Sequence, residues 1–266
     1  MKQQIINLFK LNRDRVLQDR KIPKSTFYEL DAFNTAKKRI FIEDISEISL
    51  LAILNEDTIN IAAYKDTELN YSEIDIIYVE LKGINNLGII IETIQRNIPN
   101  PVILIFSYQE SILIQSSRKR LSQAEADKQV IEEDFSTPWL NLQQATGLEN
   151  SFLACLDISK FSFENLYSFY LEFTRLLYQS MLIQLLGEFR FYKHLDTEII
   201  KSEIEKYLNK EKLIKHLKAE QIKTLEFSDK ISLEQKIINL QAEAELIKVR
   251  IIEILRLFME EYHEGI

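Results

Sequence analysis

From residue 35 to about residue 54, the apolar positions Ile40, Phe41, Ile45, Ile48, Leu51 and Ala52 recur at helical spacing. Lys37, Lys38, Glu43, Asp44 and Glu47 occupy the rest of the wheel, so the pattern predicts one amphipathic helix. Two β-rich segments follow, "TINIAAY" from Thr58 and "YSEIDIIYVELKG" from Tyr71; residues 87–97 then suit a helix that Pro99 and Pro101 would stop. "PVILIFSY" and "SILIQSS" read as the strands of a hairpin joined through Gln109 and Glu110. "SQAE", with Ser122 and Glu125, fits a capping box that opens a short helix, and "KQVIEED" and "PWLNL" are further strand candidates. The expected fold class is α+β, with a small, mainly antiparallel sheet and flanking helices in residues 1–150 and a helical domain in residues 151–266.

The pattern changes in the second half. In "FSFENLYSFYLEFTRLLYQSMLIQLLGEF" the aromatics Phe163, Tyr167, Tyr170, Phe173 and Tyr178 join leucines over most of the helix circumference, which predicts a helix buried on more than one side. Asp196 is placed to cap the next helix, "TEIIKSEIEKYLNKEKLIKHL", whose dense charge predicts exposure. The last helix is the most regular. Leu233, Ile237, Leu240, Ala244, Ile247, Ile251, Ile254 and Phe258 alternate spacings of four and three behind a capping box at Ser232 and Gln235. Over residues 232–262 this helix would be roughly 46 Å long at 1.5 Å per residue. So long and narrow a seam calls for a partner helix, either the preceding helix folded back or another subunit. The expectation is a coiled-coil-like hairpin that also contributes to oligomerisation.

Composition narrows the class. A chain of 266 residues, 46% of them hydrophobic, can bury a sizeable core. The single cysteine, Cys155, rules out an internal disulfide or a multi-cysteine zinc site; in "FLACLDI" it reads as a small buried hydrophobe, and a reducing cytoplasm suits the chain. No leader-like or membrane-spanning run is evident, so a cytoplasmic protein without a membrane partner is expected. The net charge of −8 conceals +6 within residues 1–40 and −14 in the rest, as if a basic arm were joined to an acidic body. Such an arm could contact phosphates or an acidic partner, or be only a solvated face.

Most catalytic signatures are missing. Gly83 and Gly88 are followed by Ile89 and Ile90 where a phosphate loop needs Lys and Ser or Thr, and His194, His216 and His263 lack metal-ligand spacing. No cofactor or resident metal is expected. The exception is Glu80-Leu81-Lys82, a carboxylate-x-lysine pair of the kind found in Mg²⁺-dependent nucleases, in which acidic oxygens hold the metal and the lysine orients water. Period-two alternation puts Glu80 and Lys82 on one face and Asp75 on the other, leaving Asp66 as the carboxylate able to join them. The alternative is a half-buried strand that ends in a solvated pair. Arg118-Lys119-Arg120, leaving a strand for a capped helix, could clamp a phosphate or nucleic acid; the plain reading is an exposed strand end among acids.

Taken together, "RKIPKSTFYE", "AKKRIFIEDISEI", "TINIAAYKD" with "YSEI", "IPNPVILIF", "RKRLSQAEADKQV", "NLYSFYLEF" and "FSDKISLEQKIINLQAEAELI", in that order, resemble the bacterial family catalogued as domain of unknown function 4391. The resemblance covers nearly the whole chain. It implies no established activity, but its genes tend to lie beside DNA methyltransferases and helicase-type restriction proteins, so an accessory role in restriction or anti-phage defence is implied. It runs through Tyr64, Lys65, Asp66 and Arg118 to Arg120, which favours those positions over Glu80. The expected function is a non-enzymatic interaction protein with self, helicase or methyltransferase as partner. The alternatives are a Mg²⁺-dependent nuclease using Asp66, Glu80 and Lys82, and a nucleic-acid-binding module using Lys65, Arg118, Lys119 and Arg120.

Overall fold

The computed structural model describes residues 1–11, 15–28, 35–122, 129–187 and 189–263. In chain order the elements are α1 (Lys2–Phe9), β1 (Leu17–Lys21), α2 (Ser25–Tyr28), α3 (Thr35–Asp44), β2 (Ile45–Leu54), α4 (Glu56–Ile59), β3 (Tyr64–Lys65), β4 (Asn70–Tyr71), β5 (Ile74–Leu81) and α5 (Leu87–Asn97). There follow β6 (Val102–Tyr108), β7 (Ser111–Leu121), β8 (Gln129–Ser136), β9 (Leu140–Asn141), α6 (Gly147–Leu153), α7 (Leu166–Gln179), α8 (Met181–Leu186), α9 (Thr197–Lys223) and α10 (Phe227–His263). The fold is α+β. Its seven-stranded sheet has the order β1-β2-β5-β6-β7-β8, with β9 beside β7, and every pairing is antiparallel except that of β5 with β6. The helix α5 makes the crossover between those two parallel strands, as parallel neighbours require.

Both faces of the sheet are covered, and the side-chain period of two decides which residue goes where. Ile77, Val79, Leu104 and Phe106 point to a layer formed with Phe27 of α2, Phe41 of α3 and Ile90 and Ile94 of α5. Their neighbours Ile76, Tyr78, Ile103, Ile105, Ile112 and Ile114 point the other way, toward Ile5 and Phe9 of α1, Phe152 of α6 and Phe169, Tyr170 and Phe173 of α7. Buried on both faces, the central strands read as nearly continuous apolar runs. This explains one correction. Residues 35–54 are not one helix: the helix stops at Asp44, and Ile45–Leu54 form strand β2 between β1 and β5. In a run where seven of ten positions are apolar, helical spacing is met by chance. A second correction concerns "TINIAAY": an Asn55–Thr58 capping box makes its start helical as α4, and only Tyr64–Lys65 are strand.

Other expectations hold. The helix over residues 87–97, the hairpin through Gln109 and Glu110 and the strands after residue 128 are present as α5, β6–β7, β8 and β9. The expected SQAE helix falls on residues 123–128, outside the described residues. The basic N-terminal segment is no free arm. Ile5, Ile6 and Phe9 are buried, and Lys2 pairs with Glu47 at 2.7 Å and Asp19 at 3.1 Å.

Contacts divide the chain into two units: residues 1–183 with 187–193, and residues 184–186 with 194–266. The first therefore runs past residue 150, because the aromatic face of α7 belongs to the sheet's core. In the second, α9 is capped by Asp196, whose side chain accepts a hydrogen bond from Glu198 N, and α10 begins at Phe227. The Ser232–Gln235 box thus lies inside a helix instead of opening it. The two helices form an antiparallel hairpin: Arg250 meets Glu203 at 3.7 Å, Lys210 pairs with Glu243, and Gln221 Nε2 donates to Glu234 Oε2 at 2.7 Å. Among the described residues, no helix is long and apolar enough to cross a membrane.

Candidate functional site

The nuclease constellation does not converge. Asp66 closes the turn between β3 and β4, its Oδ1 accepting from Glu68 N at 2.8 Å and Leu69 N at 2.7 Å while Tyr64 Oη donates to Oδ2 at 3.0 Å. The backbone bond from Glu68 contributes most to holding this exposed carboxyl below its ordinary value. The same turn is tied to the end of β7, where Leu121 N donates to Glu68 O at 2.7 Å. Glu80 sits at the other end of the sheet: it pairs with Ser107, which pairs with Ile112 at the start of β7. From Ile112 to Leu121 the strand spans about 30 Å at roughly 3.3 Å per residue. Lys82 follows Glu80 off the strand, exposed, with its amide donating to Asp44 O at 2.7 Å. Among the described residues no three His, Cys, Asp or Glu side chains gather as a metal site.

The basic triplet is divided by the strand that carries it. Arg118 pairs with Glu133 and Arg120 with Glu132 at 3.0 Å, both acids belonging to β8, while Lys119 points to the opposite face and is buried. Lys65 stays exposed on β3. Tyr64, its neighbour, stacks on Tyr167 at 5.0 Å, and Tyr71 meets Tyr167 at 5.0 Å and Tyr170 at 5.5 Å. The stretch through Tyr64 and Asp66 is thereby a structural clasp that holds the small hairpin on α7.

The structure instead builds a buried polar site from two residues that the sequence reading passed over or assigned otherwise. Asp75, second residue of β5, is 8% exposed, and Lys119 of β7 is 3% exposed. Lys119 Nζ donates to the carbonyls of Ile98 at 2.9 Å and Asn100 at 3.0 Å, in the connection that leads from α5 into β6. Asn100 Nδ2 bridges Glu73 Oε1 at 3.0 Å and Asp75 Oδ2 at 3.1 Å. Burial outweighs these partners and pushes the Asp75 carboxyl up to about 6. Burial also brings the Lys119 ammonium down to about 7, against the attraction of Asp75 and Asp134. Both groups thus titrate near neutrality, a state that clusters at functional sites. Asp75 also lines a cavity of about 260 Å³, whose polar lining includes Arg20, Thr26, Glu73 and Asn97 and whose apolar walls include Ile22, Phe27, Leu50 and Ile98.

The second notable surface is on the hairpin. The predicted seam of α10 is inward: Leu233, Ile237, Ala244 and Ile251 are buried, while Leu240, Ile247, Ile254 and Phe258 are half-buried. Leu255, not part of the heptad, is buried as well. At 3.6 residues per turn, Ile231, Ile238, Leu246, Val249, Ile252 and Leu257 fall on the opposite side of the same helix. All six are exposed, Leu246 by 71%. Glu245, Glu253 and Arg256 interrupt this second stripe. Ile222, Leu225 and Phe227, at the tip of the hairpin, are still more open, Leu225 by 94%. A signal for the stripe lay in the sequence, since a helix apolar on two sides has two surfaces to bury.

The model of one protein family, Domain of unknown function (DUF4391), matches residues 14–243. The chain belongs to that family. No curated protein and no solved structure matches it.

Proposed function

We propose that this member of the family is a non-enzymatic interaction protein that docks through its C-terminal hairpin to a helix of another subunit. The observation that supports this most directly is the second apolar stripe of α10, which lies opposite the seam that α9 occupies. An amphipathic helix with one apolar side is satisfied by one neighbour, whereas two opposed apolar sides call for two. The charges that interrupt the stripe suit selection among partners, because a mismatched charge facing Glu245 or Arg256 costs affinity. The partners proposed are those implied by the family's gene neighbourhood, a DNA methyltransferase or helicase-type restriction protein, with a second copy of the chain as the other option, and the setting proposed is cytoplasmic.

The nuclease alternative lacks comparable support, since Asp66 lies in the β3–β4 turn tied to the Leu121 end of β7, whereas Glu80 lies toward the Ile112 end. The nucleic-acid alternative must use arginines that β8 already pairs. The test is purification of the full chain with the products of its neighbouring genes, followed by light scattering. Stable co-purification that is lost in Leu246→Lys and Ile238→Lys supports the proposal. A monomer that retains none of those products, or a complex unchanged by both substitutions, overturns it.

A further inference from the structure

The outward side of α10 carries charge as well as hydrocarbon, and the uncompensated charge is of one sign. At 3.6 residues per turn, Glu234, Glu245 and Glu253 fall on the same side as Ile231, Ile238, Leu246 and Val249, and all three acids are exposed. Glu234 Oε2 accepts from the neutral Gln221 side chain at 2.7 Å, and among the described residues none of the three has a basic ion-pair partner. Arg256, the cation that interrupts the stripe, is already held by Glu260 at 3.1 Å. Lys230 and Lys248 stand immediately before Ile231 and Val249, about 100° round the helix, and Arg250 meets Glu203 at 3.7 Å on the side of α9.

Such a surface discriminates between occupants. A symmetric pair of chains brings the same patch together twice, so the carboxylates of one copy share an interface with those of the other, and like charge opposes the contact. Nucleic acid and an anionic lipid surface are repelled for the same reason. We infer, resting on the docking role proposed for α10, that the stripe takes an amphipathic helix of a different protein whose apolar side is flanked by lysine or arginine. The apolar side of that helix covers Ile238, Leu246, Val249 and Ile252, while its cations stand beside Glu234, Glu245 and Glu253. From Glu234 to Glu253 the span is roughly 29 Å at 1.5 Å per residue, so about five turns of the partner helix meet all three acids.

Fluorescence anisotropy of the full chain with two synthetic helical peptides tests this. Both carry the same leucine seam over about five turns, one flanked by lysines and the other by glutamates. The lysine peptide should bind about tenfold tighter or more, and the gap should narrow in 1 M salt, where the screening length falls to about 3 Å. Glu245→Lys combined with Glu253→Lys, changes at exposed positions, should reverse the preference, and Leu246→Lys should abolish binding of both peptides. Equal binding of the two peptides, lost in Leu246→Lys, overturns the basic partner and leaves docking through the stripe standing. So does failure of both peptides while neighbouring gene products still co-purify through Leu246. A free chain that dimerises in light scattering and is made monomeric by Leu246→Lys makes the second copy the occupant, which also overturns it. Binding of the lysine peptide that survives Leu246→Lys removes the stripe itself, and the docking role falls with it.

Discussion

A single lysine makes the clearest stability test at the residue scale. Lys119 satisfies two carbonyls in the connection before β6, and its native ammonium titrates near 7 because burial opposes the charge. Replacing it with methionine fills the volume but leaves the carbonyls of Ile98 and Asn100 without their donor, so Lys119→Met should cost about 1–3 kcal/mol in urea denaturation at pH 7. The sign of the pH dependence follows from linkage. Between pH 7 and 10 the unfolded chain holds a proton on Lys119 that the folded chain has released, so wild-type stability from this group rises with pH and is lost as pH falls toward 7. The wild type should therefore gain on the order of 2 kcal/mol over Lys119→Met between pH 7 and 9. Asp75 runs the other way: its folded carboxyl, raised to about 6, keeps a proton that the unfolded chain loses near 4. Its contribution is complete below pH 4 and fades as pH rises through 6, and Asp75→Asn should flatten that decline in melts taken from pH 4 to 7. Tyr170, wholly buried, has its hydroxyl 3.0 Å from the carbonyls of Val102 and Ser117 and accepts from Ser117 N at 3.2 Å. Tyr170→Phe should cost about 1–3 kcal/mol in the same denaturation assay.

Helix α10 turns the same reasoning into a contrast between its two sides. Ile237, 2% exposed, lies in the inward seam, and Ile237→Ala should destabilise the hairpin by about 2–5 kcal/mol, read from the helical circular dichroism signal on heating. Leu246→Lys on the opposite stripe removes nothing that is packed and should change stability by no more than about 0.5 kcal/mol. The seam was legible because Leu233, Ile237, Ala244 and Ile251 repeat without interruption. The stripe left only a weak signal, because Glu245, Glu253 and Arg256 interrupt it and the heptad dominates the pattern. β2 was illegible for a different reason: from Ile48 to Leu54 it is buried or half-buried on both faces, so no period of two survives to contradict a helix. By contrast α5, with prolines just after it, and the hairpin at Gln109 carried their own punctuation. The Asp75 site was hidden because its parts are single charges in separate apolar strands, and only the pairing of β5, β6 and β7 brings Asp75, Asn100 and Lys119 together. The Glu80 motif shows the reverse failure, in which adjacent residues suggest a site that the strand order then separates from Asp66.

The whole molecule divides its burden between a sheet closed on both faces and a hairpin with one apolar stripe left open, and the two should respond differently to a partner. A ligand that binds only the folded form stabilises what it touches by RT ln(1 + [L]/Kd), about 2.7 kcal/mol when its concentration is a hundred times Kd. Local opening reports such stabilisation where it occurs, since amide exchange follows the free energy of the smallest unit that must open. The strands β5 and β6, flanked on both sides of the sheet and buried almost throughout, exchange through global unfolding or nearly so. The outer turns of α9 and α10, most of whose residues are exposed, exchange through local opening. Adding the co-purified partner at a hundred times Kd should therefore slow exchange in residues 227–263 by up to about a hundredfold, while β5 and β6 change little. Docking on the sheet unit would give the opposite pattern. Uniform slowing of both units would mean that the partner acts on global stability without engaging the stripe. Repeating the measurement with Leu246→Lys completes the argument, because the protection over α10 should then disappear while the exchange of the free protein stays as it was.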